Sequence, residues 1–86
     1  MLAERQLEQF RGRYQVQKSL QAEVSPGPDG TLLFKMGATP FTLYAESPVK
    51  FFARTTDVQV EFDFRGAEKF AIVSVGEGAM RSKKIE

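Results

Sequence analysis

The chain has no cysteine and no histidine among its 86 residues. Without cysteine it forms no disulfide and has none of the Cys-based zinc signatures. Without histidine it lacks the commonest general base, the usual metal ligand and every Ser–His or Cys–His catalytic pair. These absences argue against most enzyme classes, and we predict no catalytic residue, no metal ligand and no cofactor.

The sequence also lacks an excess of one charge sign and any long hydrophobic run. Its 12 lysines and arginines against 11 aspartates and glutamates leave a formal net charge of +1, which by itself does not indicate a nucleic-acid or membrane partner. No apolar run approaches the roughly 20 residues that span a bilayer. The start of the chain, from Met1 to Phe10, has no apolar core typical of a signal peptide. We therefore predict no membrane span, and these features leave the compartment open.

Hydrophobic residues make up 42% of the chain and charged residues 27%, which is typical of a folded soluble domain. The length allows one domain. Residues 1–10 carry Leu2, Leu7 and Phe10 at helical spacing and predict a short N-terminal helix or linker that Gly12 ends. Residues 11–86 then change to short strands and turns.

Alternation with a period of two indicates strands throughout residues 11–86. It is clearest over 57–64, where apolar side chains at 58, 60, 62 and 64 interleave with polar ones. Turns rich in glycine and proline fall at 25–30 and 37–40, and Gly76-Glu77-Gly78 indicates a hairpin turn. Short turns permit only antiparallel neighbours. We predict an all-β fold of about eight strands in an antiparallel up-and-down meander, a small barrel or half-barrel, with the basic strand 79–85 at an edge.

The aromatic residues divide into a predicted core and a candidate contact surface. Neighbouring strand residues point to opposite faces, so Phe51 and Phe52 cannot both enter one core. One of them, or Tyr44 nearby, meets solvent, another protein or the N-terminal helix. Tyr44, Phe51 and Phe52 are therefore our candidate interface or ligand contacts. The remaining phenylalanines are expected in the core: Phe34, Phe41, Phe62, Phe64 and Phe70.

Three weaker patterns have plain structural explanations. Ser47-Pro48-Val49-Lys50 matches the S-x-x-K nucleophile motif, but the proline and the β-branched valine favour a turn into a strand over a catalytic helix. Asp57, Glu61 and Asp63 share a strand face that is expected to be solvated, because no calcium-loop pattern accompanies them. A basic cluster at the two chain ends fits either a single-stranded nucleic-acid groove or, preferably, protection of sheet edges; its members are Arg11, Arg13, Lys18, Arg81, Lys83 and Lys84.

Three strings in order carry a family resemblance: Phe10-Arg11-Gly12-Arg13-Tyr14, residues 41–47 with Lys50-Phe51-Phe52, and residues 57–62. Over residues 10–86 they resemble the small all-β C-terminal domain of β-lactamase-related serine hydrolases and D-aminopeptidase-like peptidases. Residues 65–69 depart from the Asp-x-x-Gly-Lys-type turn usual there. The resemblance implies a lipocalin-like meander without catalytic residues, with structural roles beside a catalytic domain. It fits an excised C-terminal domain or a free-standing relative, and it favours a periplasmic or extracellular location over a cytoplasmic one.

Three functional hypotheses follow from the sequence. The first is a non-catalytic accessory domain that contacts a serine hydrolase domain, in the same chain or a separate one, or that self-associates. The second is a small-molecule or peptide binder that uses the barrel mouth around Tyr44, Phe51 and Phe52. The third is a single-stranded nucleic-acid binder that uses the basic cluster.

Overall fold

Eight antiparallel strands form a closed barrel in which each strand pairs with the next along the chain. The computed structural model describes residues 4–37, 39–54 and 56–85. Helix α1 (Glu4–Glu8) precedes the barrel, and a short 3-10 turn (Pro28–Gly30) joins the second and third strands. This confirms the predicted fold class, and the strands are β1 (Gly12–Gln17), β2 (Leu20–Pro26), β3 (Leu32–Met36), β4 (Thr39–Ala45), β5 (Lys50–Ala53), β6 (Val58–Asp63), β7 (Phe70–Val75) and β8 (Gly78–Lys84).

The first and last strands close the barrel by pairing with each other. Tyr14 lies opposite Lys84 and Gln15 opposite Lys83, while the other side of β8 pairs with β7 along its length. The prediction that residues 79–85 form an edge strand is therefore wrong. Because β8 lies between β7 and β1, it is not an edge strand of the sheet.

The barrel interior is filled by side chains from all eight strands. The alternation of β6 places Val58, Val60 and Phe62 inside and its polar residues outside. Phe10 from the segment after α1 stacks on Phe62 with ring centroids 4.1 Å apart, and Phe51 meets Phe62 edge to face at 5.7 Å. Aromatic side chains of this size bury enough apolar surface to hold so small a domain together.

Helix α1 closes one end of the barrel. Leu7 and Phe10 are both 1% exposed, and the Phe10 N–H donates to the Leu7 carbonyl to end the helix. The buried Tyr14 hydroxyl donates to the Phe10 carbonyl over 2.8 Å, which ties this segment to β1. A helix of five residues is not stable alone, so its packing on the barrel end holds it in place. No helix in the described residues is long and apolar enough to cross a membrane.

Phe70 was predicted in the core, and among the five phenylalanines predicted there it is the one that lies outside. Phe34 and Phe62 are buried, and Phe41 and Phe64 pack partly buried against the core. Phe70 instead lies on the outer wall, with the Arg81 guanidinium 4.0 Å from its ring centroid. The pairing of β7 with β6 explains why Phe70 lies outside. Ala71 lies opposite Phe62 inside the barrel, and the large Phe62 ring needs a small neighbour there.

The predicted turns are present, with shifted limits. Gly76-Glu77-Gly78 makes the hairpin between β7 and β8, as expected. β2 continues through Pro26, which pairs with Leu32, so that turn is shorter than predicted. The turn predicted over 37–40 is shorter too, because β4 begins at Thr39; Ala38 lies outside the described residues.

Candidate interaction surface

Tyr44 and Phe52 form an aromatic pair on the outer wall of the barrel. They lie directly opposite each other on β4 and β5, with ring centroids 6.1 Å apart, and both side chains are half-buried. Cross-strand aromatic pairs of this kind stabilise a sheet modestly. Both side chains remain partly exposed, so the pair is also available for contact with a partner.

Phe51 points the other way. Its side chain is fully buried in the barrel, whereas its neighbour Phe52 lies outside. The expectation that the two phenylalanines separate is confirmed. The three candidate residues therefore do not form one surface: Tyr44 and Phe52 share the outer wall, and Phe51 belongs to the core.

Arg54 completes the pair, although the sequence did not single it out. Its guanidinium carbon lies 3.9 Å from the Tyr44 ring centroid, which is a close cation–π contact. Arg54 lies just after β5, two positions after Phe52. Side chains two positions apart on a strand share a face, so the sequence could have placed Arg54 on the same wall as Phe52.

An uncharged row continues from the aromatic pair across the wall. Successive pairings place Phe52 opposite Gln59, Gln59 opposite Ser74 and Ser74 opposite Ala79. Together with Tyr44 these form the aromatic row, five strands wide and about 19 Å long at the usual strand spacing. The next outward row carries charge at Lys50, Glu61 and Arg81. An uncharged strip with a charged border is a common form for a protein-binding surface.

The Ser47–Lys50 motif is part of a tight turn. The Ser47 hydroxyl oxygen accepts the Lys50 backbone N–H at 3.1 Å, and the Ser47 N–H donates to the Lys50 carbonyl. The Lys50 ammonium pairs with Glu46 at 3.4 Å. The hydroxyl oxygen therefore helps to close the turn, as serine commonly does in such positions.

The acidic residues of the predicted strand 57–64 do not converge. Asp57 precedes β6, and its carbonyl accepts the Gly76 N–H. Asp63 pairs with Arg65 at 2.9 Å, and hydrogen bonds from Arg65 hold the pKa of Asp63 below its ordinary value. Over residues 4–37, 39–54 and 56–85 no group of three potential ligands is placed to hold a metal ion.

Ion pairs neutralise part of the basic cluster. Arg11 pairs with Glu8 at 2.8 Å, Arg13 with Glu23 at 3.7 Å and Lys83 with Glu68 at 2.8 Å. Arg81 lies over Phe70. These pairs interrupt the continuous positive stripe that a single-stranded nucleic acid requires.

The barrel mouth is separate from the aromatic pair. Tyr44 and Phe52 lie on the outer wall, and large buried side chains occupy the interior, among them Tyr14, Phe34 and Phe51. Comparison of the chain with protein-family models, with curated proteins and with solved structures found no match.

Proposed function

We propose that this barrel is a non-catalytic accessory domain that binds a protein partner through the aromatic row. The observation that carries the proposal is the Tyr44–Phe52 pair on the outer wall, with Arg54 stacked on Tyr44. Phe51, the residue before Phe52, is buried in the core instead. The barrel fills its interior without Tyr44, Phe52 and Arg54. They are therefore free to serve recognition.

The chemistry of the row supports a protein partner. Tyrosine, phenylalanine and arginine are enriched at protein interfaces, and tyrosine and arginine are frequent hot spots. The strand residues of the row are uncharged and easily desolvated, and Arg54 adds one positive charge at Tyr44. The border at Lys50, Glu61 and Arg81 stays hydrated and sets the orientation.

The partner we propose is the catalytic domain of a β-lactamase-related serine hydrolase, in the same chain or a separate one. The strings at residues 10–14 and 41–52 resemble the module appended to such enzymes. In this proposal the protein is a lipocalin-like barrel that assists a neighbouring active site and adds no reactive group of its own. The Ser47 turn supports this, because its hydroxyl oxygen accepts a backbone N–H.

A binding titration against the hydrolase catalytic domain encoded in the same or an adjacent gene tests the proposal. Tyr44→Ala and Phe52→Ala are each expected to weaken binding about tenfold or more, as truncation of an aromatic hot spot does. Gln21→Ala, an exposed change on β2 at the far side of the barrel, is the matched control and should change affinity less than about twofold.

Two results would overturn the proposal. One is unchanged affinity, or no binding, for the wild type and both aromatic variants alike. The other is an intrinsic esterase or peptidase activity that Ser47→Ala abolishes.

The other two hypotheses have less support. A ligand inside the barrel would compete with Phe34, Phe51 and Phe62, which already fill it. Nucleic-acid binding would have to break the ion pairs of Arg13 and Lys83.

A further inference from the structure

A surface cleft of about 390 Å³ lies between the turn that joins β6 to β7 and the end of β8. It shares no residue with the aromatic row. Its walls combine lysines with apolar side chains: Ala67, Glu68, Lys69, Lys83, Lys84 and Ile85.

The cleft carries more positive than negative charge. Glu68 is its single acid and is held by Lys83, with nitrogen and oxygen 2.8 Å apart. Lys69 and Lys84 have no ion-pair partner among the residues that the structure describes. The charge of Glu68 balances that of Lys83, so the positive charges of Lys69 and Lys84 have no matching negative charge in the cleft.

Both of these ammonium groups converge on one ring. The Lys69 nitrogen lies 5.2 Å and the Lys84 nitrogen 5.7 Å from the Phe64 centroid. Burial and, after it, the nearby charge of Lys69 lower the pKa of Lys84. Like charges held this close repel each other, and an anion between them would relieve the repulsion.

The backbone keeps the two lysines together. The Lys84 N–H donates to the Lys69 carbonyl over 2.8 Å, beyond the last ladder pair of β7 and β8. This bond places the two lysines directly opposite each other at the end of the β7–β8 ladder. Both side chains therefore start from neighbouring backbone positions.

We propose that this cleft binds a small organic carboxylate, with the carboxylate between Lys69 and Lys84 and its apolar body against Ala67 and Ile85. Lysine ammonium groups act as point charges for a single anionic head. Ile85 is 43% exposed and offers apolar surface at the same site. A bare phosphate would use the charge and leave that surface uncovered.

Titration of the full chain with hexanoate, followed by NMR, tests this proposal. We expect saturable shifts at the Ile85 methyl groups and the Phe64 ring. Lys69→Gln and Lys84→Gln should each weaken binding about fivefold or more, as loss of one charge contact to a carboxylate does. Lys35→Gln, an exposed lysine on β3, is the matched control and should leave the affinity unchanged.

Hexylammonium and inorganic phosphate are the comparison ligands. We expect no shifts with hexylammonium and weaker binding of phosphate than of hexanoate. The proposal is overturned if hexanoate does not saturate, if neither lysine variant weakens it, or if phosphate binds as tightly. Unliganded Lys84→Gln should melt no lower than the wild type, which separates loss of binding from loss of fold.

Discussion

Ser82 is an unusual residue for the interior of this barrel. Its side chain is fully buried opposite Ala71, and its hydroxyl has no hydrogen-bond partner among the residues described. A buried hydroxyl without a partner costs about 1–3 kcal/mol of stability.

Ser82→Ala should therefore raise the free energy of unfolding, by about 1 kcal/mol, because it removes the unpaired group and little volume. Ser74→Ala, on the outer wall of β7, is the control and should stay within about 0.5 kcal/mol of the wild type. Urea denaturation measures both. A loss of stability in Ser82→Ala would mean that the hydroxyl has a partner after all.

Tyr14 makes the stability of the barrel depend on pH in the alkaline range. Burial raises the pKa of its hydroxyl above the ordinary value of 10.0, since the phenolate would lose its hydration in the core. The unfolded chain releases this proton near its ordinary pKa while the folded chain keeps it. The resulting stabilisation is complete below about pH 10 and declines as the pH rises further.

We expect Tyr14 to contribute a fall of up to about 1.4 kcal/mol per pH unit between roughly pH 10 and pH 12. Tyr14→Phe lacks this contribution, so its unfolding free energy should fall less steeply over that range. Denaturant titrations at several pH values measure the slopes. If the unfolding free energies of the wild type and Tyr14→Phe fell equally steeply with pH, the raised pKa of Tyr14 would be excluded as a cause of the alkaline loss of stability.

At the scale of the elements, sequence patterns predict strands well where one face is polar. β6 alternates cleanly, and its inward residues follow from the sequence. β7 is apolar on both faces, so alternation does not say whether Phe70 or Ala71 lies inside. The pairing of Ala71 with Phe62 places Ala71 inside the barrel and Phe70 outside. That pairing depends on the register between β6 and β7 and not on the sequence of β7 alone.

The hairpin between β7 and β8 depends on one glycine. Gly76 has a φ of 60°, in the left-handed region, and an added Cβ would lie 3.9 Å from Asp57, which leaves room for it. Backbone strain, not crowding, therefore opposes any other residue there.

Gly76→Ala should lower the free energy of unfolding by about 1–2 kcal/mol, the usual cost of the left-handed conformation for an L-residue. Gly66→Ala is the matched control, since an added Cβ there meets nothing closer than 4.0 Å, and it should cost less than about 0.5 kcal/mol. Thermal unfolding of the two variants provides the comparison. Equal losses would show that the turn does not depend on the φ of Gly76.

At the scale of the whole molecule, closure was not predictable from the sequence. The pairing of Tyr14 with Lys84 joins opposite ends of the chain, and no local signal announces it. The candidate surface was predictable in part: alternation requires Phe51 and Phe52 to separate, but which one lies inside depends on the register of β5. The stacking of Arg54 on Tyr44 appears only in three dimensions.

The central claim about the fold is that the barrel buries one phenylalanine in its core and places its neighbour on the outer wall. Phe51 is fully buried against Phe10 and Phe62, whereas Phe52 lies on the outer wall beside Tyr44. The two residues are chemically identical and adjacent, so each is the control for the other.

The most direct measurement is the free energy of unfolding of Phe51→Ala and Phe52→Ala in urea. We predict a loss of about 3–5 kcal/mol for Phe51→Ala, as for other buried phenylalanines, and about 1 kcal/mol or less for Phe52→Ala. Equal losses, or a larger loss for Phe52→Ala, would contradict the account.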